Sequence, residues 1–309
     1  LTAFWVEISV EADLEAVEAV SEILGRVAPA GTSVEPGFEL VDEGLGARVD
    51  AGKPAIVRAY VEATDPENVE RTVEEVTQAL GHLQVFDLRP IGEVTTRLVD
   101  EADWAEEWKR HFPVLRVGRR LVIRPTWRRH RAAPGEVVLA LDPGMAFGTG
   151  LHPTTRLCLA ALERLADRGA IDGRRVLDVG CGSGILAIGA VRLGAASALG
   201  ADTDPLAVEA TAANARRNRL GRRITARAGS LPTGEGPFDV VLANLIAALL
   251  VRLAPDLRAE LAPSGTLLAS GIFIDRETEV REAFEAAGLR VADRLAEGDW
   301  VALEVVHAA

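Results

Sequence analysis

Three kinds of residue fall within one short stretch, and together they could hold a small charged ligand. From Asp178 to Asp202 the chain reads DVGCGSGILAIGAVRLGAASALGAD. Gly180, Gly182 and Gly184 let the backbone turn sharply and lie against a ligand, because no Cβ intervenes. The helix expected after them points its free N–H groups at the same place. Asp202, twenty-two residues beyond Gly180, is placed to accept hydrogen bonds from ribose hydroxyls. Asp178, two residues before the first glycine, would repel a diphosphate and suits an ammonium. The spacing is G-x-G-x-G, which departs from the G-x-G-x-x-G of dinucleotide sites. The expected ligand is therefore an adenosyl compound with a cationic group and no phosphate. The bland alternative is that these glycines only permit tight helix–strand packing.

The elements that must position these residues follow from the apolar pattern. Arg175–Val179 is a short run of strand formers, Ile185–Leu193 has a helical pattern, and Ala198–Ala201 is a second apolar run ending in Asp202. That is half of a doubly wound α/β unit. An acid-GxGxG strand-turn-helix resembles the S-adenosylmethionine site of class I methyltransferases. A further strand, Phe238–Ala243, ends at Asn244. Gly180–Gly184, Asp202 and Asn244 thus all fall at carboxyl ends of strands, where open parallel sheets bind ligands.

Methyl transfer from a sulfonium is an in-line displacement that needs a lone pair aimed at the methyl carbon, and it requires no metal. For an amine acceptor the neutral form is the nucleophile. An α-amine with a pKa near 8 is roughly 10% neutral at pH 7, and a lysine amine is far below that. The Asn244 side-chain oxygen can accept an N–H bond and orient that lone pair; a plain strand-end turn is its other reading. In the Gly144–Thr155 loop, Phe147 is placed to cover the cofactor, and Thr149 and Thr155 to bind its methionine end. His152 suits a capping or positioning role better than that of a base. Cys158 and Cys181 sit in apolar segments and read as core residues, with no disulfide framework or zinc site.

The 309 residues carry 48% hydrophobic content, enough for a large core and two domains. The net charge of −12 is unevenly spread: residues 1–95 hold nineteen Asp/Glu and six Lys/Arg, a net of −13, and the remainder is +1. An acidic N-terminal domain disfavours nucleic acid and suits a basic protein partner; simple solubility is the alternative. Residues 108–131 reverse the sign, with nine Lys/Arg and no acid. A solvated face or a contact with the acidic part is favoured there over RNA. Leu1–Val10 lacks the basic region of a signal peptide and no run is long enough for a membrane span, so a cytoplasmic protein is expected.

Along residues 1–95 the pattern predicts strands at Phe4–Val10, Ala30–Leu40, Ala55–Glu62 and Val85–Leu88. Helices are predicted over Asp13–Val27 and from Asp65-Pro66 to about Leu80, with Val41–Lys53 a loop. This β-α-β-β-α-β order predicts a small α+β, ferredoxin-like domain. Residues 96–135 read as a helix and strand linker, with Trp104 and Trp108 on one face of a helix over Asp100–His111. Residues 136–309 form the Rossmann-like, doubly wound α/β domain. There Pro153 opens a helix, Asp204-Pro205 supplies an N-cap and first-turn proline, and Leu289–Leu295 with Trp300–Val306 close the sheet as an antiparallel pair.

DPGMAFGTGLHPTT, VLDVGCGSGILAIGAVRLGA, GADTDPLAVEATAANARRN and VVLANLIA together resemble the ribosomal protein L11 methyltransferase family (PrmA). The resemblance covers roughly residues 100–309, and the N-terminal part is similar in layout only. It implies S-adenosylmethionine-dependent N-methylation of a ribosomal protein at its α-amine and at lysine ε-amines, with an N-terminal domain that grips the substrate. It places cofactor contacts on Thr155, Gly180, Asp202 and Asn244, and an associated loop on Phe147, Gly148 and Thr149. Leu151 stands where the family often has Thr. Rival readings are an RNA base N-methyltransferase, a protein-lysine methyltransferase with another target, and a binding module that has kept the fold. The RNA enzymes usually carry Asn-Pro-Pro-aromatic, whereas Asn244-Leu245-Ile246-Ala247 lacks the stacking ring a flipped base would use.

Overall fold

The computed structural model describes residues 4–13, 16–28, 32–35, 38–42, 46–49, 53–63, 66–85, 91–100, 114–142 and 152–308. The chain divides into two compact units, Leu1–Pro113 and Val114–Ala309.

In the first unit the order is β1 (Phe4–Ala12), α1 (Val17–Val27), β2 (Thr32–Glu35), β3 (Phe38–Asp42), β4 (Gly46–Val49), β5 (Ala55–Glu62), α2 (Pro66–Val85) and β6 (Thr95–Asp100). An antiparallel sheet runs β2-β5-β1-β6, the order of a split β-α-β motif. Strand alternation sends Val6, Ile8 and Val10 to one face, where they pack with Val20 and Leu24 of α1 and Leu80 of α2. On the other face Glu7 accepts a hydrogen bond from Tyr60 Oη at 2.9 Å and pairs with Arg97 at 3.3 Å.

Three sequence expectations change here. The single strand over Ala30–Leu40 is two strands, separated in sequence by Pro36-Gly37, and the expected loop contains β4, which pairs with β3. Val85 belongs to α2, not to a strand. The strand that completes the sheet is Thr95–Asp100, paired antiparallel with β1. Of the helix expected over Asp100–His111, Asp100 ends β6 and the rest lies outside the described residues, as do 86–90.

The second unit opens with β7 (Leu115–Val117), β8 (Leu121–Pro125) and β9 (Val137–Leu141), β7 antiparallel and β9 parallel to β8. Three arginines of the basic stretch pair within this unit: Arg116 with Glu136, and Arg119 and Arg120 with Asp167. There follow α3 (Pro153–Asp167), β10 (Arg175–Val179), α4 (Ile185–Arg192), β11 (Ser197–Asp202), α5 (Pro205–Arg217), β12 (Ile224–Ala228) and β13 (Phe238–Asn244). Then come α6 (Ala247–Glu260), β14 (Leu261–Phe273), α7 (Glu277–Ala286), β15 (Leu289–Glu297) and β16 (Trp300–His307).

Seven strands form one sheet in the order β12-β11-β10-β13-β14-β16-β15. The first five are parallel, and β16 runs antiparallel between β14 and β15. The central strands β10, β11 and β13 are buried on both faces, which is why they read as apolar runs. Leu177, Val179, Val241 and Ala243 face Leu250 and Leu257 of α6 and Phe284 of α7. The intervening Val176, Asp178 and Leu242 turn to the opposite face. The strand order reverses between β10 and β13, and a doubly wound sheet opens its crevice at that reversal.

α3 is locked to the β7–β8 turn by one buried carboxylate. Glu163 accepts the Arg119 and Arg120 backbone N–H groups at 2.8 and 2.7 Å, against Gly118, whose φ of +63° and lack of Cβ allow the approach. Glu163→Ala orphans both donors and is expected to lower the urea-unfolding free energy by about 3 kcal/mol; a loss below ~0.5 kcal/mol would contradict this account of the turn.

Candidate functional site

β10 must end in a turn whose backbone lies open to the crevice. Gly180, Gly182 and Gly184 have φ of +71°, +51° and +77°, the left-handed region that glycine enters without a Cβ penalty. A Cβ at Gly180 would also stand 2.6 Å from Leu245 Cδ2. The turn is fastened from the neighbouring strand: Gly180 and Cys181 donate their N–H groups to Ala201 O at 2.8 and 3.2 Å. Asp202, at the tip of β11, accepts the Gly182 N–H at 2.9 Å and the Asp204 N–H at 3.0 Å, one on each carboxylate oxygen. Each oxygen keeps a lone pair, and the side chain is part-exposed.

These tips enclose a cleft of about 320 Å³, within the size range of cofactor pockets. Thr155, Gly180, Gly182, Asp202 and Asn244 all line it, so five of the residues singled out in the sequence meet in one place. Gly184 does not line it, and instead forms the N-cap of α4 against Thr211. Phe147, Gly148 and Thr149 lie outside the described residues. Leu245, Leu249 and Leu253 supply an apolar wall, with Gly229 and Ser230 at the tip of β12 and Arg252 at the α6 side. Sequence reasoning passed over these. The Gly229-Ser230 pair, directly after a strand, was the available signal.

Asn244 closes the β13 tip, in register with Ser270 of β14. Its Nδ2 donates to Thr155 Oγ1 at 3.4 Å, which leaves Oδ1 as an acceptor. Thr155 itself is buried in the first turn of α3. His152 is the N-cap of that helix, its Nδ1 2.8 Å from Thr154 Oγ1, with its ring edge-on to Trp300 at 4.8 Å. Burial lowers its pKa to about 4, so the ring is neutral at pH 7. The geometry is that of a cap. Cys158 and Cys181 are both buried, and burial raises each thiol to about 12.

Asp178 is the residue that needs explaining. It is 1% exposed and stands one position before the lining begins at Val179. Its Oδ2 accepts the Ala187 N–H of α4 at 3.0 Å, whereas Oδ1 has no partner among the described residues. Burial pushes its pKa up to about 7, against the opposing Ala187 hydrogen bond, and the nearby Asp202 carboxylate raises it further. A buried carboxyl with one bare oxygen and no cation is the complement of a positively charged ligand group. Together with a backbone cradle open at Gly180 and Gly182, and a part-exposed acid at Asp202, the residues present fit S-adenosylmethionine. Among the described residues no cluster of His, Cys, Asp or Glu could hold a metal ion.

Residues 4–308 match the model of the family described as ribosomal protein L11 methyltransferase (PrmA). The ribosomal protein L11 methyltransferase of Chloroflexus aurantiacus is 46% identical over 98% of this chain and 98% of its own. The corresponding protein of Geobacter metallireducens is 42% identical over 97% of each. Among solved structures, the ribosomal protein L11 methylase of Lactobacillus delbrueckii subsp. bulgaricus is 31% identical, with a TM-score of 0.59, over 64% of this chain and all of its own.

The raised pKa of Asp178 makes a signed stability prediction. Between the ordinary carboxyl value of 3.8 and about 7, the folded ligand-free protein holds a proton that the unfolded chain has released. That contribution is complete below pH 4 and is lost as pH rises through 7. Asp178→Asn removes the titration, so its stability relative to wild type should climb from pH 4 to 8, by up to about 4 kcal/mol, and then level off. A difference in urea-unfolding free energy that stays flat across this range would contradict the buried, unpaired carboxyl.

Proposed function

The chain belongs to the ribosomal protein L11 methyltransferase family, and from that membership we propose that it methylates amines of ribosomal protein L11, the α-amine and lysine ε-amines, in the cleft between β10 and β13. It is an S-adenosylmethionine-dependent methyltransferase of the class I fold. The single observation that carries the proposal is the meeting of Gly180, Gly182, Asp202, Thr155 and Asn244 in one cleft, beside the unpaired buried oxygen of Asp178.

When bound, S-adenosylmethionine supplies an electrophilic methyl group on a sulfonium. The chain's own residues do the rest. Asp178 takes the ammonium, Asp202 the ribose hydroxyls, and Gly180 and Gly182 give the backbone a close approach. Thr155 holds the Asn244 amide nitrogen, so that Asn244 Oδ1 accepts an N–H of the incoming amine and aims the nitrogen lone pair into the cleft. The apolar wall of Leu245, Leu249 and Leu253 removes water from that amine and favours its neutral form. The α-amine, already about 10% neutral at pH 7, needs less of this help than a lysine.

The net charge of −13 on residues 1–95 suits a basic protein target, and we assign that part of the chain to substrate recognition. Ile246, beside Asn244, is aliphatic and 53% exposed, and offers no ring on which a base could stack. Among the described residues no helix is long and apolar enough to cross a membrane.

Incubation with methyl-labelled S-adenosylmethionine and dissociated ribosomes should mark one small basic protein at its amines. Label in rRNA would overturn the proposal. Asn244→Ala should lower kcat about a hundredfold, on the scale of a lost positioning contact, and weaken S-adenosylhomocysteine binding by less than tenfold. A loss confined to cofactor affinity would remove the acceptor-orienting role.

A further inference from the structure

Two buried polar side chains of α5 reach the glycine turn from behind. Thr211 and Asn214 are both 0% exposed and neither lines the cleft. Thr211 Oγ1 donates to Gly182 O at 2.9 Å, with Cys181 Sγ at 3.3 Å. Asn214 Nδ2 donates to Ser183 O at 2.9 Å. The carbonyls of two successive turn residues are thus drawn toward α5. In a trans peptide the carbonyl and the following N–H point in opposite directions, so this pull turns the Ser183 N–H away from α5.

Asn214 has a second attachment. Its carboxamide also exchanges bonds with the backbone of Asp142, accepting from N at 3.0 Å and donating to O at 3.2 Å. One turn of helix later Asn218 does the same for Ala140, at 3.0 Å to N and through Nδ2 to O. The two carboxamides occupy the edge of β9 as a neighbouring strand would. Asn214 therefore ties the glycine turn to the end of β9, the strand that leads into residues 143–151.

The approach of α5 depends on an absent side chain. A Cβ at Gly184 would stand 2.9 Å from both Thr211 Cγ2 and Oγ1. The glycine at 184 thus serves the fit of Thr211 as much as the turn.

We propose that Thr211 and Asn214 are positioning residues for cofactor binding: they hold the Gly182 and Ser183 peptide planes, and so set the face that the glycine turn presents to the cleft. Thr211→Val keeps the shape and removes the donor; Thr211→Ser keeps the donor and removes a methyl. By calorimetry, Thr211→Val should raise the Kd for S-adenosylhomocysteine about tenfold, as expected for one lost hydrogen bond, and Thr211→Ser should stay within twofold of wild type. In kinetics, Thr211→Val should raise the cofactor KM in parallel and leave kcat at saturation and the KM for the protein acceptor within twofold. Asn214→Asp, which keeps an acceptor for the Asp142 N–H and loses the donors to Ser183 O and Asp142 O, should weaken the same binding and decides the matter if Thr211→Val does not fold. Either folded variant with a lowered urea midpoint and wild-type Kd would overturn the proposal, as would a Thr211→Ser variant as weak as Thr211→Val.

Discussion

The whole site depends on one reversal of the chain. Between the end of β10 and the start of α4 the backbone must turn through three positive-φ positions and present polar groups to a cleft without collapsing into it. An isolated glycine turn would be too mobile for this, because glycine has the most conformational freedom to lose. Here the freedom is removed from outside the turn. β11 takes the N–H groups of Gly180 and Cys181 at Ala201, and Asp202 takes that of Gly182. α5 takes the carbonyls of Gly182 and Ser183. The amides are fixed from one direction and the carbonyls from another, so the peptide planes have a single orientation.

That arrangement leaves a buried carboxyl uncompensated behind the turn. Asp178 is delivered into the interior by strand alternation, and its one donor is the Ala187 N–H. In the ligand-free chain it is an expensive residue, and the expense is intelligible as a binding preference for a cation. A hydrophobic or neutral residue there would make a better core and a poorer site. Asp202 is the contrasting acid. It sits at a strand tip, part-exposed, with both oxygens already accepting backbone N–H groups, and so it holds the turn and faces a ligand at once.

Much of the catalytic unit was legible because its central strands are buried on both faces and read as apolar runs that end in Asp202 and Asn244. Two of its helices begin at Pro153 and Pro205, capped by His152 and Asp204. Four of the five residues that meet in the cleft were legible for the same reason: strand tips are marked by where an apolar run stops. Thr155, in the first turn of α3, was legible from its place at the end of the Gly- and Thr-rich stretch Gly144–Thr155. The first unit was less legible. β6 lies in a polar stretch where Leu98 is 65% exposed, so periodicity gave no sign of its pairing with β1. β4 hides among glycine and aspartate. Asp178 was visible as an acid but its isolation was not, since the absence of a partner is a property of packing. Thr211 and Asn214 looked like ordinary polar helix residues, because what distinguishes them is the backbone they face.

The central claim is that this cleft, with an unpaired buried acid just before its glycine turn, selects an adenosyl cation over a dinucleotide. Titration calorimetry of the full chain with S-adenosylhomocysteine and, in parallel, with NAD tests it most directly. The account predicts one saturable site for S-adenosylhomocysteine and no measurable heat of binding for NAD. Binding of NAD at the same site, or silence with both ligands, would contradict it.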